Sequence, residues 1–195
     1  INEAIYEYPN MVDWIPKDKM PKTEAKVYES PALDGVGIWV ENRVKPIQSG
    51  KNTEELEKEI KNTLKETGVE VIVSYLPVGS EKATQFWAQV CLDTNIAFVN
   101  CMPAFIASNK EWAQKFTDKN IPVIGDDIKG QVGATIVHRT LARLCNDRGT
   151  KIENTYQINV GGNTDFLNMK EQERLVSKKI SKTESVQSQL DERLP

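Results

Sequence analysis

Two lysines, Lys178 and Lys182, stand four residues apart in the stretch SKKISK, and each follows a serine. On a helix that spacing puts both cations on one face. Two like charges so placed repel unless an anion or a carboxylate lies between them, so the chemistry they could serve is holding a negative charge. A glycine- and asparagine-rich stretch, GGNTDFLNM, lies just before them. The alternative is a solvated basic face, because Lys170, Arg174 and Lys179 are balanced nearby by Glu171 and Glu173. On pattern alone the solvated face is the better reading.

A second stretch with chemical content is GDDIKGQVGAT. An apolar run ends in Asp126 and Asp127, and the loop Gly130, Gln131, Val132, Gly133 opens a helical pattern. Unsatisfied backbone N–H groups and the helix dipole favour an anion such as phosphate there. The plainer alternative is a strand–turn–helix in which Asp126 or Asp127 caps the helix. His138 has no partner histidine or cysteine at ligand spacing, so it reads as a helix-surface or packed histidine and no metal site is expected.

The elements that must position these residues are readable from residue 51 onward. NTEELEKEIKNTLKET carries Leu56, Ile60 and Leu64 on one helical face. Asn52 or Thr53 can cap its start, and Gly68 can end it. VEVIVSYL is a near-continuous apolar run rich in β-branched residues, the pattern of a buried parallel strand. The expected strands lie near 69–76, 96–101 and 121–125. The expected helices lie near 53–66, 80–94, 108–118 (opened by a serine cap) and 133–147. KIENTYQINVGG alternates as a fourth strand would, AKVYES (25–30) could be another, and the tail from about 165 is helical and charged. Phe86, Trp87, Trp112 and Phe116 sit at helical spacings and are expected in the core.

Alternating helices and strands with short connections predict an α/β fold with a doubly wound parallel sheet. Ligands in such sheets bind beyond the carboxyl ends of the strands. Those ends carry Ser74-Tyr75-Leu76-Pro77, Asn100-Cys101-Met102-Pro103, Gly125-Asp126-Asp127 and Gly161-Gly162-Asn163-Thr164-Asp165. The glycine fingerprint of a dinucleotide-binding sheet is not found, since DGVGIW at 34–39 follows no strand and lacks the third glycine.

The totals set the bounds. At 195 residues the chain can bury roughly 70% of its unfolded surface and needs no disulfide or metal to fold. A net charge of −3 argues against a general binder of nucleic acid or acidic membranes. Cys91, Cys101 and Cys145 are far apart and odd in number, which reads as reduced thiols in a cytoplasmic protein. No apolar run is long enough to cross a membrane.

Five blocks in order, LPVGSEKAT, AFVNCMPAFIAS, GDDIKGQVGATIVHR, NVGGNTDFLNM and SKKISKTESVQSQL, closely resemble inositol-3-phosphate synthase (myo-inositol-1-phosphate synthase) in its shorter-chain prokaryotic branch. The resemblance is dense from about 69 to 190. It implies conversion of D-glucose 6-phosphate into 1D-myo-inositol 3-phosphate with NAD reduced and reoxidised in each turnover, usually in a homotetramer. C5 is oxidised, C6 is deprotonated, the enolate attacks the C1 aldehyde, and the ketone is reduced. A cation requirement cannot be read from these residues.

The resemblance also implies roles. Asp127 lies beside the nicotinamide and the essential lysine, which it would hold. Lys178 moves the C5 hydroxyl proton, and Lys182 lies near the aldehyde and phosphate. Gly130, Gln131, Val132 and Gly133 form the phosphate loop, where Gly130 replaces a usual serine. Asn163 and Asp165 face substrate and cofactor. Tyr75, Leu76 and Pro77, with Asn100, Cys101, Met102 and Pro103, run along the nicotinamide half of NAD. Residues 1–150 then correspond to the later part of a Rossmann-like NAD domain, and 151–195 to the start of an α+β catalytic and tetramerisation domain. The first strands and the glycine-rich turn would precede residue 1 and further catalytic lysines would follow Pro195, so the chain reads as an internal segment, inactive alone. The competing readings are a non-catalytic α/β binding or assembly module and a different NAD-dependent dehydrogenase. Retention of Asp127, Lys178 and Lys182 argues against the first, and the GGNTDFLNM and SKKISK blocks against the second.

Overall fold

The computed structural model describes residues 26–39, 41–42, 45–128 and 130–194. The first regular element is α1, Thr53–Thr67. Asn52 caps it: its side chain accepts from the Glu55 N–H at 2.9 Å, and the Glu55 carboxylate accepts from the Asn52 N–H at 2.9 Å. This reciprocal capping box satisfies two otherwise orphaned donors. Gly68 ends the helix in the left-handed region at φ 65°. Leu56 and Ile60 are buried, and Leu64 packs against the core.

Strands β1 (Val71–Ser74), β2 (Ala97–Asn100) and β3 (Val123–Ile124) form one parallel sheet in the order β1-β2-β3. They fall inside the predicted apolar runs but are shorter. The register pairs Ile72 with Phe98 and Phe98 with Val123, so these three side chains share one face. Helices α2 (Glu81–Thr94) and α3 (Lys110–Asp118) bury that face. The core is Ala88, Cys91 and Leu92 of α2, Phe116 of α3, and Ile96, Phe98, Ile106 and Ile121. Phe98 and Phe116 stack with ring centroids 6.5 Å apart. Trp87 and Trp112 are only partly buried and pack against this cluster.

Four expectations differ from the structure. The sheet is parallel and α/β, but its doubly wound form is not seen among the described residues: Val71, Val73 and Ile124, on the face opposite Phe98, are 48–65% exposed. Second, 151–162 forms no strand. Its alternation is real, but no neighbouring strand supplies a ladder among the described residues, and Tyr156, Ile158 and Val160 stand 87–93% exposed. Third, Asn109, not Ser108, caps α3, accepting from the Glu111 and Trp112 N–H groups. Fourth, residues 26–30 of the AKVYES stretch are irregular, with Val27 and Tyr28 exposed; Ala25 lies outside the described residues.

The chain continues with α4 (Ala134–Asp147), α5 (Thr164–Asn168), a 3₁₀ turn (Gln172–Leu175) and α6 (Val176–Gln187). Helix α6 packs against α4 and, through the 3₁₀ turn, follows directly from the α5 segment. His138 on α4 is half-buried, its ring nitrogens 2.6 Å from Thr155 Oγ1 and 3.3 Å from Gln157 Oε1, which matches a packed histidine. No helix among the described residues is long and apolar enough to cross a membrane.

Candidate active site

The carboxyl ends of the three strands open onto a cavity of about 540 Å³. That is within the usual range for small-molecule sites. Its wall is built from four parts of the chain: Tyr75–Val78 after β1, Cys101–Pro103 after β2, Asp127 and Ile128 after β3, and Thr164, Asp165, Asn168, Arg174 and Lys178 from the helical tail. A fifth part, Gly35 to Gly37, closes one side.

Two buried polar groups shape the strand ends. Asn100, 2% exposed, donates from Nδ2 to the Ala104 carbonyl at 2.6 Å and to Asp126 Oδ1 at 2.7 Å. Its Oδ1 accepts from the Met102 N–H at 3.1 Å. The Asp126 carboxylate accepts from the N–H groups of Ile106, Ala107 and Ser108. Asp126 therefore organises the turn before α3 and does not cap α4. Asn100 stands behind the cavity wall and fixes the loop that carries Cys101 and Met102.

Asp127 follows in the left-handed region at φ 60°, a conformation that aspartate adopts more readily than most residues. Its N–H donates to the Met102 carbonyl at 3.0 Å. Its Oδ2 accepts from the Ser181 hydroxyl of α6 at 2.8 Å. Lys178, one turn before Ser181, lines the cavity with Asp127, but its ion pair is with Asp165: Nζ lies 3.8 Å from Oδ2. On the α6 face turned to Asp127 it is Ser181 that reaches the carboxylate, while Lys178 faces Asp165. The serines of the SK repeat are inward-facing, since Ser177 is also buried. Lys182 is half-buried on the same helix, while Lys179 is exposed and reaches Gln172 Oε1 at 2.7 Å.

The loop residues Gly130, Gln131, Val132 and Gly133 are exposed and are not among the residues lining this cavity. Gly133 is the N-cap of α4, with no side chain to take the first N–H groups of that helix. Asn163 caps α5, its Oδ1 accepting from the Phe166 N–H at 3.0 Å. Tyr75 is 70% exposed. The neighbouring Cys101 side chain raises its phenol above the ordinary value.

The residues present fit one half of a dinucleotide. Leu76, Pro77, Met102 and Ile128 offer apolar wall for a flat ring, with Asp127 and Lys178 at its edge. The start of α2 is not open to a pyrophosphate: the N–H groups of Lys82 and Ala83 already donate to the Asp34 carboxylate at 3.0 and 2.8 Å. No group of three or more potential metal ligands occurs among the described residues.

Sequence reasoning missed Asp34, Asn168, Arg174 and Ser181. Asp34 sits in a turn-rich stretch and Arg174 in a balanced run of charges, so neither carries a local signal. The serine spacing of the SK repeat was the one available clue to Ser181.

A family model described as Myo-inositol-1-phosphate synthase matches residues 133–195. An inositol-3-phosphate synthase of Mycolicibacterium smegmatis is 47% identical over 97% of this chain and 50% of its own length. One of Mycobacterium tuberculosis is 52% identical over 86% of this chain and 44% of its own. One of Corynebacterium glutamicum is 48% identical over 88% and 46%. The chain thus spans about half the length of the curated relatives it matches. Among solved structures, the crystal structure of Ari2 superposes with a TM-score of 0.54 at 32% identity, over 76% of this chain and 40% of that one. A myo-inositol-1-phosphate synthase-related protein from Thermotoga maritima gives 0.61 at 23% identity, over 78% and 46%, a likeness of fold alone. Over nearly its whole length, this chain is a relative of the inositol-3-phosphate synthases, as its five sequence blocks imply.

Proposed function

We propose that the protein carrying this chain is an inositol-3-phosphate synthase that converts D-glucose 6-phosphate into 1D-myo-inositol 3-phosphate. The observation that carries the reading is the shared cavity of Asp127 and Lys178 at the carboxyl ends of three parallel strands. NAD, when bound, supplies a hydride acceptor and then a hydride donor. The chain's own part is to orient, to exclude water and to move protons. Tyr75, Leu76, Pro77, Cys101 and Met102 form the wall along the nicotinamide half, with Asn100 behind them. Lys178 in its neutral amine form takes the C5 hydroxyl proton; the ammonium so formed stabilises the developing oxyanion and returns the proton when the ketone is reduced. Asp165, 3.8 Å from Lys178 Nζ, keeps the ammonium at the cavity edge. The uncapped start of α4 at Gly133, with Gly130, Gln131 and Val132, receives the substrate phosphate through backbone N–H groups. Asn163 lies at the substrate side and Lys182 one turn beyond Lys178. A cytoplasmic homotetramer, without nucleic-acid or membrane partners, belongs to the same reading.

The test is turnover of glucose 6-phosphate by the full-length protein with NAD, comparing Lys178→Ala with Lys179→Ala. Loss of turnover by roughly 10²–10⁴ in the first and little change in the second is expected for a positioned acid–base group. Wild-type protein that binds neither NAD nor glucose 6-phosphate would favour a non-catalytic module.

A further inference from the structure

Three segments far apart in sequence meet beside the cavity through side chains that the proposed chemistry does not use. Arg174, its side chain 10% exposed, donates from Nη2 to the Asp34 carbonyl at 2.8 Å and from Nε to Glu171 Oε2 at 3.1 Å. Glu171 Oε2 also accepts from the Ile38 N–H at 3.1 Å. Asn168, 5% exposed, donates to the Val78 carbonyl at 3.0 Å. The approach is close on both sides. A Cβ on Gly79, itself at φ +89°, would lie 2.6 Å from the Arg174 side chain, and one on Gly37 would lie 2.5 Å from Asn168 Oδ1.

Arg174 and Asn168 both stand close in sequence to the Lys178–Asp165 pair. Arg174 stands four residues before Lys178, at the 3₁₀ turn that runs into α6. Asn168 stands three residues after Asp165, at the end of α5. Each member of the pair is therefore one helical turn from a buried side chain that bonds across to the strand-end loops. A lone 3.8 Å ion pair with one partner 48% exposed is too weak to fix a lysine by itself. The bonds of Arg174 and Asn168 are shorter, are screened from water, and tie both helices to the 34–38 and 78–83 segments.

We infer that Arg174 and Asn168 are positioning residues: they set the Lys178 amine against the cavity, and Arg174 does so through Asp34 and Glu171. This rests on the proposed synthase reading. Arg174 has the chemistry for the task, because its planar guanidinium serves two acceptors at fixed angles where a lysine serves one. A misplacement of about 1 Å at a reacting group can cost roughly a hundredfold in rate.

The experiment uses the full-length protein and the variants Arg174→Gln, Arg174→Lys and Asn168→Ser. Two readouts are taken besides thermal stability: the kcat and KM for glucose 6-phosphate, and the rate of acetylation of Lys178 relative to Lys179, followed by peptide mass spectrometry. Arg174→Gln is expected to lower kcat roughly ten- to hundredfold with KM within about threefold, and to speed Lys178 acetylation several-fold while Lys179 is unchanged. Arg174→Lys should recover part of both effects. If Arg174→Gln does not fold, Asn168→Ser carries the same expectation. A fall in melting temperature with unaltered kcat and unaltered Lys178 labelling overturns the inference. Should Lys178→Ala leave turnover intact while Arg174→Gln still changes Lys178 labelling, the synthase reading fails and the positioning role of Arg174 stands.

Discussion

Ser181 on α6 donates its hydroxyl to Asp127 at 2.8 Å, joining the end of β3 to the helix that carries Lys178. The residues lie 54 apart in sequence. The bond holds the Asp127 carboxylate beside the cavity. Ser181→Ala removes this donor from the Asp127 carboxylate. The expected result is a loss of about 1–2 kcal/mol in unfolding free energy, read from urea midpoints, and a fall in turnover larger than that of Ser185→Ala, whose hydroxyl only bonds the Ser181 carbonyl one turn back.

Lys61 joins α1 to α2, with Nζ 2.5 Å from Glu57 and 2.6 Å from Asp93. Burial alone pushes the Asp93 carboxyl up, but its hydrogen bonds to Lys61 and Gln89 outweigh that and hold it below the ordinary value. Hydrogen bonds to Asp93 and Glu57 raise the Lys61 amine. A depressed carboxyl contributes stability above its unfolded pKa, lost as pH falls through the folded value. A raised amine contributes stability below its unfolded pKa, lost as pH rises through the folded value. The link is therefore complete near neutrality. With both side chains about a quarter to a third exposed, Asp93→Asn should cost about 0.5–1 kcal/mol at pH 7. Thermal melts at pH 7 and pH 3 should show the gap between wild type and variant narrowing at the lower pH.

Much of this fold is legible because its signals are local. The capping box at Asn52 and Glu55, the Gly68 stop and the β-branched run into Ser74 each lie within a few residues of the structure they specify. Asn109 shows where local signals tie. Ser108 and Asn109 are both good caps; Asn109 takes the role, accepting from the Glu111 and Trp112 N–H groups, while the Ser108 N–H donates to the distant Asp126. The candidate site divides the same way. Strand ends could be located from periodicity, but which side chain faces which depended on contacts such as Arg174 with Asp34, 140 residues apart. The 151–162 segment failed for the opposite reason: its pattern was clear, but a strand also needs a partner.

The thiols should rank by burial. Burial pushes Cys91 up to about 12, so it should stay inert in the native protein. Cys145 is half-buried and Cys101 is 5% exposed at the cavity wall. Mass spectrometry of native protein treated with a thiol-disulfide reagent should show Cys145 modified first, Cys101 slowly and Cys91 only on unfolding. In the full-length protein, saturating NAD should slow Cys101 further. Equal labelling of Cys101 with and without NAD would remove that wall from the cofactor's path.

Two glycines near the candidate site should behave oppositely. A Cβ on Gly125 would lie 2.9 Å from the Asn100 carbonyl oxygen and 3.0 Å from Asn100 Cβ. Asn100 cannot retreat, because it is buried and bonded to Ala104, Asp126 and Met102. Gly125→Ala must therefore push the end of β3 away from β2, at a cost of about 1–3 kcal/mol, and carry Asp127 with it. Gly130 has nothing within 4 Å of its would-be Cβ and no unusual backbone angle. Gly130→Ser, which restores the residue that the family resemblance implies, should leave the urea midpoint within about 0.5 kcal/mol of wild type. If that loop receives the substrate phosphate, the added hydroxyl should lower the KM for glucose 6-phosphate severalfold in the full-length protein while leaving NAD affinity unchanged. A KM that does not move would place the phosphate elsewhere than at the start of α4.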